Sequence, residues 1–264
     1  MGLEEDPRIQ ELLGSSPTWH TLEHHPEVTS TQDVALARLR EGTPPGLVVA
    51  ADAQTAGRGR LGRPWRDAVQ GSSGPANLAV TATAAAPDRS VGIVPLVVGL
   101  AVIEAYERAG ASPRLKWPND VLLDGRKAAG ILVERHVVAG RPVLLLGCGL
   151  NLDWRGIDRF GEEVGWVSVA EAIAADVDRV EVLVALLAAL SGELGHLQRR
   201  PDAVLQHYRR RCATLGQRVR VEQPGRPPLS GDATDVDADG RLVVVADGQR
   251  HVIDVGDVIH VRPV

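Results

Sequence analysis

Apolar and polar positions change their period along the chain, and each change marks an element. Residues 1–17 are polar and acidic and predict a tail with one helical turn around Ile9 to Leu13. His20 to Val28 reads as a strand. Ser30 then suits a helix N-cap, with Asp33 as the capping-box acid three residues on. Val34, Leu36 and Leu39 give that helix its apolar stripe, and Gly42 stops it. Leu47 to Ala51 is β-rich. Gln54 to Asn77 is dense in Gly, Arg and Ser and predicts a long loop, of a length usually kept for function. Leu78 to Thr83 returns to a strand pattern. Val91 to Arg108 predicts a mostly buried helix with Pro95 in its first turn and Gly110 as its stop. Leu115 to Trp117 and Val121 to Leu123 flank Pro118-Asn119-Asp120 as short strands, and Asp124-Gly125 marks a hairpin turn. Ala129 to Glu134 and Val143 to Leu150 are strands. Val169 to Ala175, Val180 to Leu197 and Pro201 to Leu215 are helices, the second with a Leu/Ala stripe suited to a core.

After Gly216 the texture shifts to short β-rich runs: Gln217 to Glu222, Ala233 to Val236, Leu242 to Ala246, His251 to Asp254 and Val258 to Val261. Turns at Pro224-Gly225, Asp239-Gly240, Asp247-Gly248 and Val255-Gly256 separate them, a spacing that predicts a small barrel. The expected organisation is a tail over 1–24, a main domain over 25–215 and a β-domain over 216–264.

Length and charge narrow the function. At 264 residues the chain has room for one large domain, with or without an appendage. A net charge of −5 argues against holding nucleic acid by bulk electrostatics. Against that background the basic run from Arg58 to Arg66 points to a local anionic ligand. Cys148 and Cys212 have no partner motif, so neither a disulfide framework nor a metal site is expected. No signal peptide opens the chain. The most apolar window, Val91 to Ala105, is broken by Pro95, Gly99 and Glu104 and is shorter than the roughly 20 residues a membrane helix needs. A soluble cytoplasmic protein, not bound to membrane, is the expectation.

Three strings carry the candidate chemistry. The first is Gly57-Arg58-Gly59-Arg60-Leu61-Gly62-Arg63-Pro64-Trp65. It contains GxGxxG, but Pro64, Trp65 and a Gly/Ser-rich stretch follow where a dinucleotide-binding turn would enter a helix. Glycines that free the backbone, beside guanidiniums that pair with carboxylate or phosphate, instead describe a loop able to close over an anionic intermediate. A solvated basic loop is the bland alternative. The second string is Lys116-Trp117-Pro118-Asn119-Asp120, followed by Lys127 and Gly130. Its turn presents an amide and a carboxylate together, with two ammonium groups nearby to meet carboxylate and triphosphate. A routine hairpin competes with that reading. The third, Gly147-Cys148-Gly149-Leu150-Asn151, ends an apolar strand with glycines where a ligand or another backbone comes close.

Taken in order, with Ser30-Thr31-Gln32 and Gln54 ahead of them, these strings resemble the catalytic domain of biotin protein ligases over roughly 25–264. The resemblance implies an α+β fold: a mixed or antiparallel sheet with helices on one side, plus a small C-terminal SH3-like barrel. It implies that Ser30, Thr31, Gln32 and Gln54 surround biotin's ureido ring, with Gly130 and Gly147 against the ligand and Lys127 at its carboxylate. Gly57, Arg58, Gly59 and Arg60 would belong to the loop that covers biotin and its adenylate. Arg63, Trp65, Lys116, Asn119, Asp120 and Asn151 would serve the nucleotide. Arg58, Arg60, Lys116 and Lys127 are the expected catalytic cations. Many members carry Asn where Gln32 stands. The implied reaction joins biotin to ATP, releases pyrophosphate, and passes the biotinyl group to a lysine of a biotin carboxyl carrier domain. No protein-only metal site is implied, since Mg²⁺ would arrive with ATP near Asn119 or Asp120. The resemblance is to the monofunctional class without a DNA-binding domain, expected as a monomer or weak homodimer. A lipoate-type or other acyl-adenylate ligase, and a biotin-binding sensor without transfer activity, remain alternatives.

Two further features invite a metal. Asp235, Asp237, Asp239 and Gly240 imitate the start of a calcium loop, but Ala246 stands where a bidentate Glu is required, so a β-turn is expected. His24-His25 lacks a third ligand and is expected as a solvated pair.

Overall fold

The computed structural model describes residues 2–65, 76–87, 90–157 and 165–260. The part of the long loop over 66–75, and the end of the last expected strand at Val261, lie outside them.

A seven-stranded sheet forms the main body, in the order β1-β2-β3-β7-β6-β5-β4. Its strands are β1 (Thr21–Val28), β2 (Leu47–Gln54), β3 (Asn77–Ala85), β4 (Arg114–Lys116), β5 (Asp120–Leu123), β6 (Arg126–Val138) and β7 (Arg141–Asn151). Only β1 and β2 run parallel; the other pairs are antiparallel, which makes the sheet mixed. Hairpin connections explain this. Asp124 and Gly125 both adopt positive φ, at 50° and 73°, and Ala139 and Gly140 do so at 48° and 76°, so β5, β6 and β7 meander.

The strands alternate between two cores. Val48, Ala50, Val80, Leu144 and Leu146 face a large core built with α3 (Val94–Arg108), α5 (Arg179–Arg199) and α6 (Pro201–Arg211). Leu47, Val49, Val143 and Leu145 face the other way, onto Ala35 and Leu39 of α2 (Thr31–Arg40). Helices therefore do not keep to one side of the sheet: α2 covers the face opposite α3 and α5. The period of 2 along β2 and β7 is what allows both faces to be apolar. α5 is long and apolar enough to cross a membrane by composition, yet Leu183, Leu186 and Leu187 are wholly buried in the large core.

The first 24 residues do not form a loose tail. Pro7 opens α1 (Pro7–Ser15), capped by the Asp6 carboxylate accepting from the Arg8 N–H, and Ile9 is fully buried. The expected solvated histidine pair is corrected in the same place. His24 is nearly buried, with Nε2 2.7 Å from Asp52 and Nδ1 accepting from the Leu3 N–H at 3.3 Å. The expected capping box of α2 is also absent. Ser30 holds the N-cap position without a side-chain cap bond, and Asp33 turns to Arg58 instead. A true capping box stands at α4 (Val169–Ile173), between Ser168 and Glu171.

The C-terminal part is a five-stranded antiparallel sheet, order β11-β10-β9-β8-β12, from β8 (Arg218–Glu222), β9 (Leu229–Val236), β10 (Leu242–Ala246), β11 (Gln249–Ile253) and β12 (Asp257–His260). Its core is continuous with the main one. Trp117 Nε1 donates to the Gly240 carbonyl at 3.0 Å, and Arg209 reaches Asp235 at 2.7 Å, so the two parts are bonded through buried and half-buried groups. The calcium-like string is the β9–β10 turn, with Asp237 accepting from the Asp239 and Arg241 N–H groups.

Candidate active site

The arginine string is a narrow finger, not an open coil. Trp65 N–H donates to the Gly57 carbonyl at 2.8 Å, and Gly59 N–H to the Arg63 carbonyl at 2.7 Å. Leu61 and Gly62, at φ of 58° and 73°, turn the chain over at its tip. The base is tied to the start of α2, because Thr55 and Ala56 donate to the Val28 and Thr29 carbonyls, each at 2.9 Å.

This finger folds over the faces of β3, β6 and β7 and forms one wall of a cavity that is open to solvent. Most expected site residues line it: Ser30, Thr31, Gln32, Gln54, Arg58, Gly59, Arg60, Arg63, Trp65, Asn119, Asp120, Lys127, Gly130 and Gly147. Gly57, Lys116 and Asn151 are not among the lining residues. Gly57 stands behind the finger, as the acceptor for Trp65. Lys116 is the Cα partner of Asp120 across β4 and β5, one step back from the wall. Asn151 is wholly buried, donating to the Lys127 and Val167 carbonyls at 3.3 and 3.1 Å, and so braces the strand that carries Lys127.

One end of the cavity is polar, and Arg58, which lines it, is ion-paired with Asp33. Ser30, Thr31 and Gln32 are all buried there. The Thr31 N–H donates to Gln54 Oε1 at 3.0 Å, and its hydroxyl lies 2.8 Å from that of Thr81. The Gln32 amide donates to the Leu132 carbonyl at 2.9 Å. Val80, Ile131 and Cys148 supply apolar wall beside these groups.

The other end gathers cations. Lys127 Nζ lies 2.6 Å from Asp120 and over the rings of Trp65 and Trp166, 5.5 and 5.3 Å from their centroids. The Arg60 guanidinium approaches Asn119 Oδ1 at 3.4 Å, while Asn119 Nδ2 donates to the Ile131 carbonyl at 3.0 Å. Burial pushes the Lys116 ammonium below its ordinary range; Asp120 opposes that, while Lys127 and Arg63 add to it. Burial lowers Arg60 as well, against the pull of Asp120. Arg63 pairs with Asp257, and Arg58 with Asp33 at 2.8 Å. Among the described residues Lys127 is ion-paired with Asp120, whose charge also acts on Arg60 and Lys116, a local cation excess that an anionic ligand would balance. Among the described residues no group of three or more His, Cys, Asp or Glu side chains is placed to hold a metal ion.

Among the lining residues that sequence reasoning missed, three bear on the chemistry. Trp166 tilts against Trp65 with centroids 5.2 Å apart and stacks on Trp154 at 6.2 Å. Asp257 comes from the C-terminal sheet, and Thr81 from the middle of β3. None sits in a string with its own signature; only the alternation along β3, which turns Thr81 to the same face as Ala79, offered a hint.

The comparisons agree with these features. Residues 25–153 match the model of the biotin/lipoate A/B protein ligase family, and residues 214–261 that of the biotin protein ligase C-terminal domain. A biotin–[acetyl-CoA-carboxylase] ligase of Mycobacterium tuberculosis is 34% identical over 98% of this chain and 96% of its own length. The bifunctional ligase/repressor of Escherichia coli is 30% identical over 84% of this chain and 68% of its own. Among solved structures, an Aquifex aeolicus biotin protein ligase in complex with biotin and ATP superposes with a TM-score of 0.75 at 27% identity, covering 93% of this chain and 100% of the other.

Proposed function

This chain belongs to the biotin protein ligase family, and we propose that the cavity between the arginine finger and the sheet joins biotin to MgATP and serves transfer of the biotinyl group to a protein lysine. The activity is that of an ATP-dependent biotin–protein ligase. The observation that carries the reading is the division of one cavity into a neutral polar end and a cation-rich end. Biotin has a matching division, with a ureido ring at one end and a carboxylate at the other.

In the first step the carboxylate oxygen attacks the α-phosphorus, the bond to the bridging oxygen breaks, and pyrophosphate leaves. Two anions must approach each other, so the chain's contribution is positioning and charge neutralisation. Lys127 would meet the carboxylate, while Arg60 and Lys116 would meet the triphosphate. Mg²⁺ enters as part of the nucleotide, where Asn119 and Asp120 offer oxygen donors. In the second step a neutral lysine amine attacks the acyl carbon and AMP departs. Neither step requires an enzyme nucleophile. The finger and Trp65 would shelter the mixed anhydride from water. The acceptor is a biotin carboxyl carrier domain, the setting is cytoplasmic, and the protein works as a monomer or weak homodimer.

The test is purified protein with radiolabelled biotin, ATP, Mg²⁺ and a carrier domain, each omitted in turn. Labelling that needs all of them supports the reading. Tight biotin binding without labelling would make the chain a sensor. Labelling by lipoate in place of biotin would make it a lipoate-type ligase.

A further inference from the structure

Asp33 stands in the first turn of α2, yet its carboxylate faces the finger and not the helix end. Both of its oxygens accept from one nitrogen of the Arg58 guanidinium, Nη1, at 2.8 Å. The other terminal nitrogen, Nη2, lies 3.8 Å from Glu134 Oε2 on β6. Glu134 is in turn 3.1 Å from His136 Nε2, further along the same strand. Arg58 is therefore gripped by two acids from two different elements, and neither acid lines the cavity.

The place of Arg58 in the finger gives this grip its leverage. The finger keeps its shape through backbone bonds between its own arms, from Trp65 to Gly57 and from Gly59 to Arg63. Those bonds do not fix the angle at which the hairpin stands over the sheet. Among the described residues the backbone bonds from its base to the body stop at Ala56, and Arg58 carries the next tie, an ion pair. On the returning arm Arg63 is tied to Asp257. Between these two ties Arg60 turns to Asn119 at the cation-rich end of the cavity. We propose that Asp33 and Glu134 are positioning residues: through Arg58 they hold the finger at the angle that keeps Arg60 and Trp65 over the ligand, and so lengthen the life of the bound acyl-adenylate. The proposal rests on the reading that biotin is activated in this cavity. It also gives Arg58 a different task from the catalytic one expected of it, because its charge is answered by the protein's own carboxylates.

The experiment follows radiolabelled biotinyl-5′-AMP formed on the full chain from biotin and MgATP, freed of substrates by gel filtration and chased with unlabelled biotinyl-5′-AMP. Half-exposed ion pairs contribute little singly, so Asp33→Asn should release the adenylate about 3- to 5-fold faster than the parent, and Asp33→Asn with Glu134→Gln about 10-fold faster. Raising salt from about 0.05 M to about 0.5 M should bring the ratio of variant to parent towards one, because screening weakens the parent's ion pairs and leaves the amides alone. Biotin-dependent pyrophosphate release at saturating substrates should stay within about twofold of the parent, and Asp33→Glu, which keeps the charge, should restore slow release. Parental release in the double variant overturns the proposal. So does faster release whose ratio to the parent ignores salt, the mark of a general loosening of α2 or β6. An Asp33→Glu protein that loses the adenylate as fast as Asp33→Asn overturns it too. With a parent that forms the adenylate, these outcomes refute the grip alone. A parent that forms none removes the reading of the cavity, and the grip with it.

Discussion

Replacing Lys127 by Met separates the charge of this side chain from its bulk. The ammonium lies 2.6 Å from Asp120, both side chains being about one-quarter exposed or less, and it sits over two indole faces. The methionine stem keeps much of the packing against Trp65 and Trp166, so the loss is mainly electrostatic. An ion pair that retains some solvent contributes about 1 kcal/mol, and each cation–π contact about 0.5–1 kcal/mol. Asp120 is not stranded, because Lys116 and Arg60 remain beside it. The cost in stability should therefore stay near 2–3 kcal/mol, on the order of 4–12 °C in Tm for a chain of this size. The catalytic cost should be larger. Removing one preorganised positive group from the reacting centre typically costs about 10²–10³ in rate. Pyrophosphate release driven by biotin, and direct detection of biotinyl-5′-AMP, should fall by that factor at saturating substrates. Transfer from preformed biotinyl-5′-AMP to a carrier domain should fall less, since two anions no longer have to meet. A Lys127→Met protein that melts as expected yet forms the adenylate at the parental rate would refute the role given to this ammonium.

Two further outcomes follow from the walls of the cavity. Gly149→Ala would set a Cβ 2.4 Å from the Trp65 indole, so the ring must leave its seat; we expect a red-shifted tryptophan emission and a loss of about 1–3 kcal/mol in stability, and parental emission and melting would contradict the seat itself. Burial pushes the Cys148 thiol up from 9.0 to about 12, so at pH 8 its thiolate should be about a thousandfold scarcer than that of an ordinary cysteine thiol; alkylation followed by peptide mass spectrometry should find Cys148 unmodified in the native protein and modified after unfolding.

Most strands and helices could be read from the chain because their signals are local. Asp124-Gly125 forces a hairpin wherever it stands, and the breaks at Gly42, Gly110 and Gly216 all fall within a few residues of a helix end. The N-terminal helix was harder. Asp6 followed by Pro7 was a usable start signal, but the polar composition around it argued for a tail, and only docking of Ile9 into the core outweighs that. Ser30 misled in the opposite way. It occupies the expected cap position, but Asp33 finds a better partner in Arg58, from a segment 25 residues away. Trp166 and Asp257 were illegible because their place at the site is set by packing of whole elements and not by neighbours in sequence.

The glycines of the second and third strings gain a specific meaning from the register. Asp120 is opposite Gly130, Gly130 is opposite Gly149, and Gly149 is opposite Ala79, so a lane poor in side chains crosses β5, β6, β7 and β3. The Trp65 indole lies on that lane, within 2.5 Å of where a Cβ would stand at both Gly130 and Gly149. Two residues further back along β7, Gly147 does the same for Gln32. From sequence, these glycines pointed to a close approach by a ligand or another backbone. In the folded chain the groups that approach are two of its own side chains, one at each end of the cavity. The separate strings are therefore one device: the finger supplies the indole, the sheet supplies its bare seat, and Asp120 and Lys127 flank the place where the seat ends. Losing Gly147 or Gly149 would thus displace a side chain of the site while adding and removing no charge, whereas a Cβ at Gly130 would press on Lys127 as well.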